Sequence, residues 1–283
     1  MDSKSDPLQF LPPEKWGDLE AVFEADWPRG ISAYTAIRSQ RNLLDKGLNY
    51  GFEVYCPYGD VSNGMVALNV KHNFYEVWIQ CPKDDTESLE NALLSTNVID
   101  WSQEITVPFI PQHLYDMLLR VTKKLGVVFE GENWPTLDVI IYQKTQPAFE
   151  NICLPDGMQF KSVSEKDIDM IDSKWIIRYD GSKSLFRLLV KADLSYGLYK
   201  DDILISWIFI SEVGNMAHLH TPEEYRRMGY ATLLLKLLCN KYLEEKRDLF
   251  GYCESRNVKA LNLYKKLGFE KLHYIRYTVV KPK

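Results

Sequence analysis

Apolar residues recur at helical spacing near the start of the sequence, at Trp16, Leu19, Val22 and Phe23. A spacing of three or four residues puts side chains on one face of a helix, whereas runs rich in Val, Tyr, Phe and Trp between turn residues are typical of strands. By these criteria the first half contains helices at 11–26, 31–46, 86–95 and 111–125, and strands at 51–57, 64–70, 74–81 and 137–142. This mixture predicts an α/β or α+β fold.

The second half has a more regular alternation of elements. Its pattern predicts strands at 158–163, 196–200, 203–210, 215–219 and 249–253, and a final strand or strand pair at 269–281. It predicts helices at 164–175, 183–191, 229–246 and 257–267. Residues 143–157, between the halves, contain two prolines and show no clear periodicity. We therefore predict two domains, 1–146 and 147–283, which fits the usual size of roughly 100–200 residues per domain.

Composition and charge narrow the class of protein. Hydrophobic residues make up 46% and charged residues 26% of the 283 residues, as in globular domains and unlike disordered chains. The net charge of -5 disfavours nucleic acid and anionic membranes as main partners. No apolar run approaches the roughly 18 residues of a membrane span, and no secretory signal or transit peptide is visible. We expect a cytoplasmic protein.

The five cysteines are widely spaced and form no C-x-x-C pair. This pattern is typical of reduced thiols in an intracellular protein rather than of a disulfide framework or a zinc site. No metal site is predicted.

A short motif follows the strand predicted at 215–219 and opens the next helix: Arg226-Arg227-Met228-Gly229-Tyr230-Ala231. The start of a helix offers N–H groups without acceptors and the positive end of the helix dipole, which together bind anions. Gly229 has no Cβ, so a phosphate can approach the backbone, and the two arginines add charge suited to phosphate. Taken alone, the motif also fits an ordinary helix start.

A second motif spans 257–269, over the last predicted helix and its end. Asn257 fits a helix N-cap, and Gly268 fits the residue that ends a helix. Tyr264 shares a helix face with Ala260, so taken alone it indicates a core tyrosine.

Together the two motifs resemble those of the GNAT superfamily, whose members transfer acyl groups from acyl-coenzyme A (acyl-CoA). Arg226-x-x-Gly229-x-Ala231 is similar to the Q/R-x-x-G-x-G/A pyrophosphate loop, and Asn257-x-x-Ala260-x-x-Leu263-Tyr264-x-x-x-Gly268-Phe269 is similar to the C-terminal motif. The resemblance covers about 155–281. It implies a C-terminal GNAT fold with a mixed, mostly antiparallel central sheet flanked by helices.

A narrower resemblance concerns the glycine N-acyltransferases. The run Thr221-Pro-Glu-Glu-Tyr-Arg-Arg-Met-Gly is similar to the Thr-Leu-Pro-Glu-Tyr-Arg-x-x-Gly run of that family, and 87–101 is similar to a helix-and-Trp segment of its N-terminal domain. The resemblance implies that the first half is a degenerate GNAT-like unit. Since no second R-x-x-G-x-G/A pattern occurs before residue 150, a single CoA site is expected.

The resemblance also implies roles for particular residues. Backbone N–H groups at the helix start would hold the pyrophosphate, with the two arginines beside it, and the preceding strand would pair with the pantetheine amides. Tyr264 would donate a proton or a hydrogen bond to the departing thiolate. The residues assigned to acyl-CoA or acetyl-CoA are Leu219, His220, Arg226, Arg227, Met228, Gly229, Tyr230, Ala231, Thr232 and Asn257.

The general base of the family is usually a glutamate eleven residues before the motif arginine, and here that residue is Asn215. An amide cannot accept the amine proton as a carboxylate can. Three alternatives stay open: His218 or His220 serves, water connects the amine to Glu212 or Glu254, or the amine arrives neutral. If only the base is missing, Asn215→Glu raises activity.

Strand alternation bears on the choice of base. A period of two puts Asn215, Ala217 and Leu219 on one face of the strand and His218 and His220 on the other. This argues against the histidines unless a β-bulge turns them.

The function expected from the resemblance is direct transfer of an acyl group from acyl-CoA to a small amine, such as glycine or another amino acid. Two alternatives remain: a protein that binds CoA or acyl-CoA with little or no turnover, and an acetyltransferase of protein amino groups. Cys253 is expected to be a packed thiol, so no acyl-enzyme is predicted. The family resemblance also allows a mitochondrial location, and the sequence does not define the oligomeric state.

Overall fold

The structure is a computed structural model that describes residues 5–71, 74–131 and 134–283. The chain divides into two compact units. Unit 1 comprises the residues up to Leu137 together with Tyr274–Lys283, and unit 2 comprises Asp138–His273. In the described residues, no helix is long and apolar enough to cross a membrane.

These units differ from the predicted domains in two segments, because residues 138–146 belong to unit 2 and residues 274–283 belong to unit 1. The predicted junction at 143–157 lies inside unit 2. The Phe149 N–H donates to Asn240 Oδ1 at 2.8 Å, and Asn240 Nδ2 donates to the Phe149 carbonyl at the same distance. The Tyr142 hydroxyl donates to the Pro147 carbonyl at 2.7 Å. These bonds fix the segment, so it is not a free linker.

Unit 1 contains a run of strands and helices in chain order. They are β1 (Leu8–Phe10), α1 (Trp16–Ala25), α2 (Ile31–Asp45), β2 (Phe52–Pro57), β3 (Met65–Lys71), β4 (Phe74–Gln80), α3 (Glu87–Ser95), β5 (Ile105–Ile110), α4 (Gln112–Leu125) and β6 (Val128–Phe129). Neighbouring pairs from β1 to β4 are antiparallel, and β4 is parallel to β5.

Unit 2 repeats the same kind of order. It contains most of β7 (Thr136–Tyr142), then β8 (Met158–Lys161), α5 (Ile168–Ser173), α6 (Ser182–Lys191), β9 (Ser195–Lys200), β10 (Ile203–Ile210), β11 (Met216–His220), α7 (Tyr230–Glu244), β12 (Leu249–Glu254) and α8 (Val258–Lys266). The last strand, β13 (Glu270–Lys281), begins in unit 2, and its residues from Tyr274 belong to unit 1.

The sheet of unit 2 has the order β7-β12-β11-β10-β9-β8. Pairing is antiparallel from β8 to β11 and parallel between β11 and β12. Both units therefore have a strand, two helices, three antiparallel strands, a helix, a strand and a helix in sequence. The predicted fold class, a mixed and mostly antiparallel sheet flanked by helices in two similar halves, is confirmed.

Strand β10 has helices on both of its faces. Ile208 and Ile210 belong to a buried cluster with the inner face of α7, which carries Leu234 and Leu238. On the opposite face, the Phe209 ring lies 4.9 Å from the ring of Phe186 on α6. This packing fixes the start of α7 just after the end of β11.

Some elements differ from the prediction. Strand β5 was not predicted because Pro108 interrupts its apolar run, and proline usually excludes a central strand position. Pro108 is tolerated because the register between β5 and β13 shifts between Arg276 and Thr278. The shift produces a β-bulge in β5 opposite Tyr277. The short strands β1 and β6 were also not predicted.

Candidate functional site

The turn between β11 and α7 has the backbone of an anion-binding loop. Arg227 and Gly229 have φ of 64° and 83°, and Gly229 is the N-cap of α7. The first helical bond runs from the Leu233 N–H to the Gly229 carbonyl at 3.0 Å. The preceding N–H groups, at Tyr230, Ala231 and Thr232, therefore have no acceptor within the helix and lie at its positive end.

The space around this loop suits a phosphate group. A Cβ atom at Gly229 would meet nothing within 4 Å, so the backbone there is open to a ligand. A pocket of about 210 Å³ is lined by Thr221, 225–227 and 229–232. Predicted residue Met228 lies outside that lining, with its side chain 60% exposed.

Two arginines lie at the pocket. Arg226 Nε donates to the Thr221 carbonyl at 3.0 Å, so its side chain folds back over the turn. Both Arg226 and Arg227 are exposed, and exposed guanidinium groups can turn towards an anion at little cost. The two arginines, Gly229 and the start of α7, which the sequence motif placed together, thus line one pocket.

Strands β11 and β12 separate beside this pocket. The two strands pair in parallel where Met216 of β11 lies opposite Gly251 of β12. Beyond that point, within the described residues, 217–220 of β11 have no paired residue among 252–254 of β12. The separation leaves backbone groups of β11 without a partner on that side. An extended chain with amide groups, such as pantetheine, can pair with such an edge.

Strand β11 contains a β-bulge. Phe209 pairs with Ala217, but Trp207 pairs with His220, so two residues of β11 oppose one of β10. His218 has φ of 51°, the left-handed conformation that accommodates the extra residue.

The bulge overturns the predicted strand alternation. Because Trp207 and Phe209 share a face of β10, their partners His220 and Ala217 share that face too. The His218 ring lies 6.3 Å from the Phe209 ring, also on this face. The prediction that Ala217 lies opposite the histidines is therefore wrong, and the argument against the histidines no longer holds.

The two histidines differ in their surroundings. The ring of His218 is enclosed by aromatic rings, with centroid distances of 5.9 Å to Trp175, 5.5 Å to Phe186 and 5.8 Å to Trp207. Both of its ring nitrogens are buried, and neither has a hydrogen-bond partner in the described part of the chain. Burial, and then the charge of His220, lowers the pKa of His218 to about 3. No pattern in the sequence indicated this enclosure.

Asn215 lies in the hairpin between β10 and β11, and both groups of its amide are used there. Asn215 Oδ1 accepts from Ser211 Oγ at 2.7 Å, and Nδ2 donates to the Met216 carbonyl at 2.9 Å. The residue is 8% exposed. Its contacts explain why an amide, with a donor and an acceptor, stands at this position.

The carboxylates considered as relays have different environments. Glu212 is buried in the turn that follows β10. Glu254, at the end of β12, is partly exposed and forms an ion pair with Arg256 at 3.0 Å.

Tyr264 lies on α8 in the buried cluster of unit 2. It is 9% exposed, its ring is 5.2 Å from the Phe269 ring, and its hydroxyl forms no hydrogen bond with any described residue. Burial, and then the neighbouring Cys253, raises the pKa of the Tyr264 hydroxyl, so it keeps its proton at neutral pH. Burial likewise raises the pKa of Cys253 to about 11, so this thiol is a poor nucleophile.

Two further predicted residues have clear structural positions. Asn257 is the N-cap of α8, and its Oδ1 accepts from the Ala260 N–H at 3.2 Å. Leu219 packs against the buried cluster on the α7 side of the sheet. Their proposed contacts with CoA stay predictions. Across the residues described, no group of three or more His, Cys, Asp or Glu side chains is placed to hold a metal ion.

The corresponding turn of unit 1, between β4 and α3, has the opposite character. It contains no glycine, and Asp85 Oδ1 accepts from the Glu87 N–H at 3.0 Å, so a carboxylate occupies the helix start. Gln80 Nε2 also donates to the Phe109 carbonyl at 2.9 Å and links the ends of β4 and β5. A second anion site of this kind is therefore disfavoured in unit 1.

Comparisons with known proteins agree with this geometry. Residues 195–278 match the family model described as FR47-like protein. No curated protein matches the chain. A protein of Drosophila melanogaster has a similar solved structure, with a TM-score of 0.83 and 17% identity over 98% of this chain and 99% of that one.

Two solved structures of GNAT-related proteins are also similar to the chain. A tandem GNAT protein from the clavulanic acid biosynthesis pathway has a TM-score of 0.60 and 12% identity over 96% of this chain and 97% of that one. A GCN5-related N-acetyltransferase from Sphaerobacter thermophilus has a TM-score of 0.55 and 15% identity, with 96% and 94% covered. At these identities the similarity concerns the fold. Residues 195–278 thus match the FR47-like model, and the chain has the same fold as these GNAT-related structures, the fold that its two motifs predicted.

Proposed function

We propose that the chain is an N-acyltransferase that transfers an acyl group from acyl-CoA to a small amine, with glycine or another amino acid as the leading candidates. The observation that carries the proposal is the anion-binding start of α7 beside the separation of β11 and β12. One ligand with a pyrophosphate and an amide-containing arm fits both features. The GCN5-related N-acetyltransferase from Sphaerobacter thermophilus, which has the same fold, supports the reaction class.

In this proposal the loop residues bind and orient the acyl-CoA. The N–H groups from Met228 to Thr232 hold the pyrophosphate, and Arg226 and Arg227 add charge at the pocket. The free edge of β11 near Leu219 pairs with the pantetheine arm. The bulge leaves ladder groups unpaired at the strand end, where an N–H can polarise the thioester carbonyl.

Transfer then occurs in one complex of enzyme, amine and acyl-CoA. Holding both reactants in place lowers the entropic part of the barrier. Because burial keeps the Tyr264 phenol protonated, it can donate a hydrogen bond to the sulfur as the C–S bond breaks. The raised pKa of Cys253 argues against an acyl-enzyme.

A binding protein with little or no turnover is the second candidate. The observation in its favour is Asn215, which stands where a glutamate base is usual in the family and whose amide oxygen and amide nitrogen each form a hydrogen bond in the hairpin. An acetyltransferase of protein amino groups is the third.

Calorimetric titration with acetyl-CoA, followed by thiol release on addition of glycine, a panel of amines and a peptide, separates these candidates. Binding with thiol release in the presence of free amines supports the proposal. Binding without release for any acceptor supports the second candidate, and release with the peptide alone supports the third. Absence of binding contradicts the proposed function.

A pair of double variants tests the assigned loop. Replacing Arg226 and Arg227 with glutamine should weaken acetyl-CoA binding because two cations at the pocket are lost. Replacing Lys265 and Lys266, two exposed residues of α8, with glutamine makes the same change in net charge away from the pocket. Equal loss of binding in both double variants would contradict the assignment.

A further inference from the structure

His220 occupies a defined place at the end of β11. Its ring stacks on the ring of its cross-strand partner Trp207, with centroids 4.7 Å apart and an interplanar angle of 28°. Trp207 is fully buried, and it lies on the same face of β10 as Phe209. The plane of the imidazole is therefore set by a rigid neighbour.

The backbone of His220 is held as well. Ser206, which is fully buried, donates from Oγ to the His220 carbonyl at 3.1 Å, and its Oγ lies 2.9 Å from Thr221 Oγ1. These contacts anchor the last residue of β11 directly before the turn that leads to the pyrophosphate loop. Small changes in this turn cannot easily displace the imidazole.

The imidazole of His220 is also available for chemistry. It is half-buried, and its ring nitrogens make no hydrogen bond to other described residues. Burial, followed by the charges of Arg226 and Lys174, lowers its pKa, whereas Glu224 acts in the opposite direction. The ring is consequently neutral at physiological pH and carries a free lone pair.

The other residues near the strand end are less suitable. The nitrogens of His218 are buried inside the aromatic enclosure, and neither has a hydrogen-bond partner among the described residues. Asn215 has no basic group and uses its amide in the hairpin. His220 alone among these three residues combines a basic nitrogen with access from solvent.

We propose that His220 is the general base that accepts the proton of the attacking amine, held in position by Trp207 and Ser206. This inference rests on the proposed N-acyltransferase function. As the amine nitrogen forms its bond to the thioester carbonyl carbon, one N–H proton moves to the free imidazole nitrogen of His220. The C–S bond breaks, and its electron pair leaves on the sulfur.

The proton balance is completed without another reactant. The leaving thiolate, stabilised by the hydrogen bond from Tyr264, takes a proton from solvent, and the His220 imidazolium returns its proton to solvent. The products are one amide and one free thiol, and the enzyme is regenerated.

The test compares His220→Gln with His113→Gln, in which the altered histidine lies in unit 1 and its Nε2 donates to the Cys81 carbonyl at 3.2 Å. Acetyl-CoA affinity by calorimetry should stay within about twofold in both variants, because the binding role assigned to His220 is pairing of its strand backbone with pantetheine, and glutamine keeps that backbone. Removal of the base should lower kcat/KM of His220→Gln by about 100-fold or more. His113→Gln should retain wild-type turnover.

Two further readouts distinguish a base from a merely structural residue. The acid limb of the pH–rate profile should disappear in His220→Gln, and Lys174→Met should move that limb of the otherwise wild-type enzyme to higher pH, because a cation that lowers the pKa of His220 is lost. Added imidazole should restore part of the turnover of His220→Ala.

The outcomes separate the two levels of the argument. If wild type binds acetyl-CoA and releases thiol, but His220→Gln keeps its rate and its acid limb, the assignment of the base is wrong and the proposed function stands. If wild type shows no thiol release with any acceptor, the proposed function itself fails. Loss of rate in His220→Gln with an unchanged acid limb and no imidazole rescue also overturns the assignment.

Discussion

Replacing Gly229 with alanine tests the anion-binding loop most directly. Gly229 has φ of 83°, and a Cβ atom there meets nothing within 4 Å, so the substitution causes no clash. Its conformational cost comes from the left-handed backbone alone and should be about 1–2 kcal/mol. The new methyl group, however, stands in the open space where the pyrophosphate has to approach the helix start.

The expected loss of affinity follows from the lost contact. A hydrogen bond to a charged group contributes about 1.5–3 kcal/mol, so losing one N–H contact should weaken acetyl-CoA binding by about 10- to 100-fold. Calorimetric titration measures this loss, and thermal melts followed by circular dichroism measure the change in stability.

Gly126 provides a matched control. It has φ of 74° at the end of α4 in unit 1, and a Cβ atom there also meets nothing within 4 Å. Gly126→Ala should therefore have a similar conformational cost and unchanged acetyl-CoA affinity. Wild-type affinity in folded Gly229→Ala, or an equal loss of affinity in Gly126→Ala, would refute the reasoning about the loop.

Three other predictions follow from contacts in unit 2. Tyr264→Phe removes a hydroxyl that forms no hydrogen bond with any described residue, so thermal melts and acetyl-CoA titrations should change little. The kcat in the thiol-release assay should fall about 100-fold, and an unchanged kcat would exclude a role at the sulfur. Asn215→Glu loses the hydrogen bond to the Met216 carbonyl and buries a carboxylate, so the free energy of unfolding in urea should fall by about 1–3 kcal/mol. We expect no rise in activity, and a variant that is both stable and faster than wild type would contradict this. Burial lowers the pKa of His218 from 6.5 to about 3, so the unfolded chain binds more protons and stability falls as the pH drops from 6.5 towards 3. His218→Phe should lose less stability than wild type between pH 7 and pH 5 in urea denaturation; an identical loss would show that His218 is not the responsible group.

Local sequence signals were sufficient for the helices and the loop of the site. The glycine before the apolar face of α7 and the N-cap Asn257 act within one or two turns of helix, so their consequences follow from nearby residues. The glycine-containing turn at the start of α7 could therefore be predicted from the sequence alone.

The bulge in β11 could not be predicted in the same way. A left-handed residue is usually indicated by glycine or asparagine, but here it is His218. Its conformation depends on the register against Trp207 and Phe209 and on the aromatic enclosure, which are set by residues distant in sequence. The face reached by His220, and with it the choice of base, required the tertiary structure.

The membership of residues 274–283 in unit 1 has a consequence for the order of folding during synthesis. Strand β5 pairs with β4 on one side and with β13 on the other, and Val279 and Val280 of β13 are 4% and 1% exposed. The first unit thus lacks a buried strand until residues 274–283 have left the ribosome, whereas Asp138–His273 is contiguous. The second unit can complete its own contacts earlier, so the unit that is synthesised first becomes complete last.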